Sequence, residues 1–347
     1  MALQEAPSFW WRKPGLPAYL LSPLSLAWGA ASAWRMEKAP TAVAGVPVIC
    51  VGNFIAGGSG KTPAAMAIGR AALGAGLRPG FLSRGFGGHL VGPVRVDPQR
   101  HRAFEVGDEP LLLSAVATTV VAVNRAAGAA RLVAEGCDFI IMDDGFQNPR
   151  LAKDFCLVVV DARRGIGNGY TIPAGPLRAP LSRQFALADA IAVVGQAPAG
   201  ERLIRETARR AKPVHLARLV PSETRRWQGR RVLAYAGIAD PDKFFASLAA
   251  AGAEIVARRP FGDHHVFTDE EIEDLLETAA AGELTLVTTA KDMARLRDDA
   301  MPAGRLAERS EVFAVDLEFE DPRAAGLIID LTVQRWKENE LRRRPGR

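Results

Sequence analysis

The stretch VICVGNFIAGGSGKTPAAMAIG, residues 48–69, decides the fold. An apolar strand carrying Val48, Ile49 and Val51 runs into a glycine-rich loop, then Lys61 and Thr62, then a helix-forming run. That order is what a phosphate-binding loop requires. Gly57, Gly58 and Gly60, with Ser59 among them, let backbone N–H groups converge on phosphate oxygens where a Cβ would block the approach. Lys61 offers a point charge to the β and γ phosphates, Thr62 a hydroxyl to Mg²⁺, and the following helix a favourable dipole. The expected ligand is a nucleoside triphosphate with its metal. In the strict pattern GxxxxGK[ST] the first glycine falls at position 55, where this chain has Ile55. The plainer alternative is a glycine-rich turn with Lys61 merely exposed. The register of glycines, lysine and threonine behind an apolar strand argues against it.

Downstream, apolar runs ending at Ser83, Val123, Met142, Val160 and Val194 alternate with helical stretches such as Arg125 to Glu135. Continuous Val/Ile runs separated by helices predict a parallel sheet covered on both faces, with ligands at the carboxyl ends of its strands. After about Arg226 a second, smaller α/β unit is expected. Its strands are RVLAYAGIA, EIVARRPF, LTLVTTA and VFAVDLEF, and its helices begin near Asp242, Thr268 and Asp292. Thr268 with Glu271 makes a capping box. The chain then closes with an amphipathic helix around Leu327 to Leu341. The expected organisation is an N-terminal segment (1–38), a P-loop NTPase-type core (39–226), a smaller lobe (227–325) and a C-terminal helix with a basic tail (326–347).

The 347 residues are 48% hydrophobic and 24% charged, the balance of a globular protein, so any membrane contact must be local. Cys50, Cys137 and Cys156 show no CxxC spacing and read as buried reduced thiols, neither a disulfide framework nor a metal cage. The formal charge of +5 owes much to the tail RRRPGR at Arg342 to Arg347. Between Lys13 and Arg35 there is no charge, and three readings of this stretch compete. A transmembrane span is interrupted by Pro14, Pro17 and Pro23. A signal peptide, suggested by Arg12, Lys13 and Ala31-Ser32-Ala33, would export a protein that needs nucleotide. An interfacial helix fits best, with Leu20, Leu24, Trp28 and Ala31 at helical spacing and Trp10, Trp11 and Trp34 beside basic residues. Its rival is an amphipathic helix packed on its own core.

Several groups are candidates for chemistry. Asp143 and Asp144 end the third strand, where an acid holds Mg²⁺ directly or through water beside the loop threonine. Asp108 and Glu109 precede an apolar helix and read either as a helix start favoured by the dipole or as a base and a metal-orienting acid. Asp263, His264 and His265 form either a surface turn or a base completed when lobes close. Arg84 and Arg178 sit in turn-rich basic loops suited to clamping phosphate.

Taken in order, GNxxxGGxGKTP (52–63), LSRGFGG (82–88), GDEP (107–110), DDGFQ (143–147), PAGPLR (173–178), FxDHH (261–265) and TTAKD (288–292) closely resemble the tetraacyldisaccharide 4′-kinase family of lipid A biosynthesis. The resemblance spans nearly the whole chain. It implies transfer of the ATP γ-phosphoryl group to the 4′-hydroxyl of a tetraacylated glucosamine disaccharide 1-phosphate. It also implies a peripheral or monotopic enzyme on the cytoplasmic face of the inner membrane. A monomer with no nucleic-acid partner is expected. The family pattern places Ser59, Gly60, Lys61 and Thr62 on ATP and Mg²⁺, with Glu109, Asp143 and Asp144 near the metal. It makes Asp108 the base, working with His264, and puts Arg178 and Gln147 in the active site. Phe86 stands where a tyrosine is usual, which puts any role of that hydroxyl in question, and Ala290 stands where a glutamate is common, so an acid there cannot be essential here. Rival classes are a GTPase or metal-cluster chaperone, a soluble ATP-dependent ligase of the dethiobiotin-synthetase type, and a noncatalytic lipid-binding adaptor. The first would want an NKxD signature, a second loop lysine or a cysteine pair, and position 56 is Ala56.

Overall fold

The computed structural model describes residues 6–297 and 303–343; the end of the basic tail, 344–347, lies outside them. Among the described residues there are thirteen strands: β1 Val48–Gly52, β2 Pro79–Ser83, β3 Val94–Arg95, β4 Thr118–Val121, β5 Phe139–Asp143, β6 Phe155–Asp161, β7 Ala190–Val194, β8 Val214–Pro221, β9 Arg231–Ala236, β10 Glu254–Pro260, β11 Thr285–Thr288, β12 Ser310–Val312 and β13 Val315–Phe319. Nine form one sheet in the order β13-β8-β7-β6-β1-β5-β2-β4-β3, and four form a second in the order β10-β9-β11-β12.

In the large sheet the central strands run parallel, and the two edge strands β3 and β13 are antiparallel. Residues in β1, β2, β5, β6 and β7 are buried on both faces, which is why β1, β5, β6 and β7 read as largely continuous apolar runs. Ile49, Val51, Ile141 and Val159 pack on one face against Ala64, Ala65 and Ile68 of the helix Lys61–Gly74 and Ile328 and Ile329 of the C-terminal helix Ala324–Arg343. Val48, Cys50, Ile140 and Val158 pack on the other with Ala129, Leu132 and Phe185. The three cysteines are free and buried.

The second sheet is all parallel and likewise covered on both faces. Phe244, Phe245 and Leu248 of the helix Pro241–Ala250 lie on one side, and Ile272, Leu275 and Leu276 of the helix Asp269–Ala281 on the other. Thr268 caps the latter in the reciprocal box expected. One segment departs from the sequence reading. VFAVDLEF is not a single strand of the smaller unit. β12 pairs with β11 there, whereas β13 crosses back and pairs with β8 in the large sheet.

The N-terminal helix runs Leu16–Met36 through Pro23. Among the described residues no helix is long and apolar enough to cross a membrane. Its buried side is small, Ala18, Ser25 and Gly29 with Met36, while Leu16, Tyr19, Leu20, Leu24, Leu26, Trp28 and Trp34 are exposed. A helix packed on its own core would bury the large residues and expose the small ones. This one does the reverse.

Candidate active site

The phosphate loop leaves the carboxyl end of β1 and ends at Gly60, whose φ of +87° is the left-handed conformation only glycine adopts freely. Lys61 and Thr62 open the helix and are nearly sealed from solvent, as is Ser59. Ile55 stands where the strict motif has glycine because its side chain is core and its backbone bridges to Leu177. The loop is thus braced from one side by the segment leading to Arg178. Gln147 ties in as well, donating from Nε2 to the Asn53 carbonyl (2.8 Å).

β5, beside β1, delivers Asp143 and Asp144 next to the loop. Asp144 adopts φ +52°, a strained conformation that Asp tolerates better than most residues. Its carboxylate receives Arg178 through two nitrogens (2.6 and 3.1 Å), with Lys61 Nζ 3.8 Å away. Burial opposes the charge, but Lys61 and Arg178 outweigh it and hold Asp144 well below the usual carboxylate range. Asp143 has the opposite fate. Burial, then repulsion from Glu109 and Asp144, pushes it up to about 8. Both of its carboxylate oxygens are buried without a hydrogen-bond partner, as are Ser59 Oγ and Asn53 Oδ1. A cation and phosphate oxygens would satisfy them, so the donors present fit Mg²⁺ bound through Thr62, Asp143 and neighbouring acids. Among the described residues no three metal-binding side chains converge enough to hold an ion by themselves. That suits a metal that takes part of its shell from nucleotide phosphates.

Across the cleft, the smaller lobe brings His264 to Asp108. Nδ1 lies 3.3 Å from Asp108 Oδ2, and Arg295 Nε lies 3.2 Å from the same oxygen. Neither contact is an aligned hydrogen bond, so charge dominates both. Burial raises the Asp108 pKa, but His264, Lys291 and Arg295 more than compensate and bring it down to about 2. Contact with Asp108 in turn raises that of His264 against the effect of burial. His265 faces elsewhere, pairing with Glu271 of the capping box at 2.8 Å. Phe86 lies edge-on to the His264 ring at 5.4 Å, and Arg84 is exposed at the rim.

Glu109 sits between lobes, its Oε1 2.5 Å from Lys291 Nζ. Burial, which would raise the Glu109 pKa, is overcome by Lys291 and Lys61. Lys291, Arg295 and Arg125 are charged site groups that sequence reasoning did not assign. Lys291 lay inside the quoted TTAKD motif. Arg125 is buried near Asp143 and Asp144 at the start of the helix Arg125–Ala134. A cation there opposes the helix dipole, and that mismatch was a readable signal.

The family model for tetraacyldisaccharide-1-P 4′-kinase matches residues 17–333. The chain belongs to the tetraacyldisaccharide 4′-kinase family. Relatives with that name include those of Agrobacterium fabrum, 51% identical over 98% of both chains, and Rhizobium meliloti, 50% identical over 99% of both. In fold the kinase resembles the crystal structure of LpxK from Aquifex aeolicus, described in complex with ATP. The TM-score is 0.70 at 22% identity, covering 92% of this chain and all of that one.

Proposed function

We propose that this kinase transfers the γ-phosphoryl group of ATP to the 4′-hydroxyl of a tetraacylated glucosamine disaccharide 1-phosphate, working peripherally at the cytoplasmic face of the inner membrane. The names of its relatives support the substrate. The observation that carries the reaction is the contact of partly exposed His264 with buried Asp108, in a site that also holds the phosphate-loop Lys61 and Asp143.

Gly57 to Thr62 cradle the triphosphate, and Lys61 neutralises charge on the transferring group. Thr62, Asp143, Asp144 and Glu109 would hold Mg²⁺ together with phosphate oxygens, and the bound ion would neutralise charge on the phosphoryl group. Arg178, held on Asp144 beside Lys61, and the exposed Arg84 are planar cations shaped to contact phosphate. The hydroxyl proton passes to the Asp108–His264 pair. Asp108, at about 2 and 2% exposed, is a weak base facing away from solvent, whereas His264 is 32% exposed. The imidazole therefore retains the proton and the carboxylate orients it and raises its basicity. The outward apolar face of the helix Leu16–Met36 supports seating at a bilayer, where the acyl chains remain while the sugar enters the cleft.

The test is transfer of labelled γ-phosphate from Mg·ATP to tetraacyldisaccharide 1-phosphate in detergent micelles, with Lys61→Ala and Asp108→Ala alongside. Product formation lost in both variants is the expected result. Folded protein that binds ATP yet phosphorylates no lipid would overturn the substrate assignment.

A further inference from the structure

We propose that the helix Leu16–Met36 is a working part of the nucleotide site, with Trp28 and Ser25 as positioning residues that brace the phosphate loop through the segment 171–180. This rests on the nucleotide half of the function proposed above.

The helix does not simply lean on the core. Ser25 and Thr171 are both buried, and each hydroxyl donates to the other's backbone carbonyl, at 2.8 and 2.6 Å. One turn on, a Cβ at Gly29 would lie 3.3 Å from Thr171 Oγ1 and 3.5 Å from Pro180, so glycine permits that approach. Trp28 Nε1 donates to the carbonyl of Arg178 at 3.2 Å. The preceding turn adds Trp10, whose Nε1 donates to the Pro173 carbonyl at 3.0 Å.

The other edge of the same short segment is stitched to the phosphate loop. Ala56 N donates to the Pro176 carbonyl (2.8 Å), Arg178 N to the Phe54 carbonyl (2.9 Å) and Arg178 Nε to the Ile55 carbonyl (3.0 Å). Arg178 is therefore gripped by the helix at its carbonyl and by the loop at its amide and side chain, and its guanidinium ends on Asp144. An anchor needs only the outward apolar face. The bonds on the inward face join the helix to the atoms that shape the loop.

An anchor alone predicts that nucleotide binding, measured without lipid substrate, ignores the helix. Bracing predicts that it does not. Trp28→Phe keeps an aromatic ring at the surface and removes one donor, and Ser25→Ala removes one hydroxyl. In wild-type protein, both single variants and the Ser25→Ala/Trp28→Phe double variant, binding of the magnesium complex of a nonhydrolysable ATP analogue is measured by calorimetry in substrate-free micelles, with vesicle pelleting and Tm in parallel. Bracing expects Trp28→Phe to weaken the analogue about threefold and the double variant about tenfold, the scale of one and two hydrogen bonds, with vesicle pelleting unchanged. Should the double variant fold poorly, Trp28→Phe decides alone, because its ring is half exposed. Unchanged analogue affinity in folded Trp28→Phe overturns the inference, whether or not pelleting changes. Wild-type protein that binds no nucleotide would instead overturn the nucleotide reading itself.

Discussion

At the scale of single residues, Asp108 and His264 show how burial and charge divide labour between two groups. His264 has φ +57°, a conformation asparagine tolerates, so His264→Asn removes the imidazole with little backbone cost. Because Asp108 raises the His264 pKa in the folded state, the pair's stabilisation is full below the unfolded histidine value of about 6.5. It fades as pH climbs through the raised folded value. The stability difference between wild type and His264→Asn, from urea midpoints, should therefore be larger at pH 6 than at pH 9. A gap that widened with pH would mean that Asp108 does not raise the His264 pKa. Lys61, Thr62 and Asp143 were legible from sequence because strand, loop and helix fix their places locally. Lys291 and Arg295 were not, since their meaning lies in Glu109 and Asp108, which belong to the other lobe.

Elements were legible where composition and burial agree. β5 and β7 are continuous apolar runs buried on both faces and were read to within a residue or two. β8, VHLARLVP, is half-exposed and interrupted by His215 and Arg218, so no local apolar pattern marks it as a strand. β13 could be seen as a strand, but its sheet is set by register with β8, which no local pattern carries. The sequence pattern marks the N-terminal helix as interfacial, and its exposed leucines give that expectation a direct test. Leu16, Leu20 and Leu24 make little use of the core, so replacing all three with Ser should change Tm by only a few degrees. It should nevertheless abolish most pelleting with phospholipid vesicles, since each buried leucine contributes roughly 2 kcal/mol of transfer free energy. Retained pelleting would assign membrane contact to another surface.

For the whole molecule, charged contacts join the two lobes around the site. Lys291 reaches Glu109, Arg295 reaches Asp108, Arg164 donates to the Ala239 carbonyl, and Lys243 Nζ lies 2.5 Å from Asp161. The first two contacts involve the site itself, but the Lys243–Asp161 pair is separate from the Asp108–His264 pair and so isolates the effect of closure. Asp161 is 5% exposed, and Lys243→Met would leave it without its cation, at a cost of roughly 1–3 kcal/mol to the closed arrangement. Closure excludes water that would otherwise accept the phosphoryl group. The variant should therefore release more inorganic phosphate per lipid phosphorylated, by about fivefold or more if that cost falls on closure alone. Measuring both products in one reaction gives the ratio directly. An unchanged ratio with a lowered Tm would show that the pair stabilises the fold without governing closure. A raised ratio at near-normal Tm would show that the lobes' charged contacts protect the reaction from water.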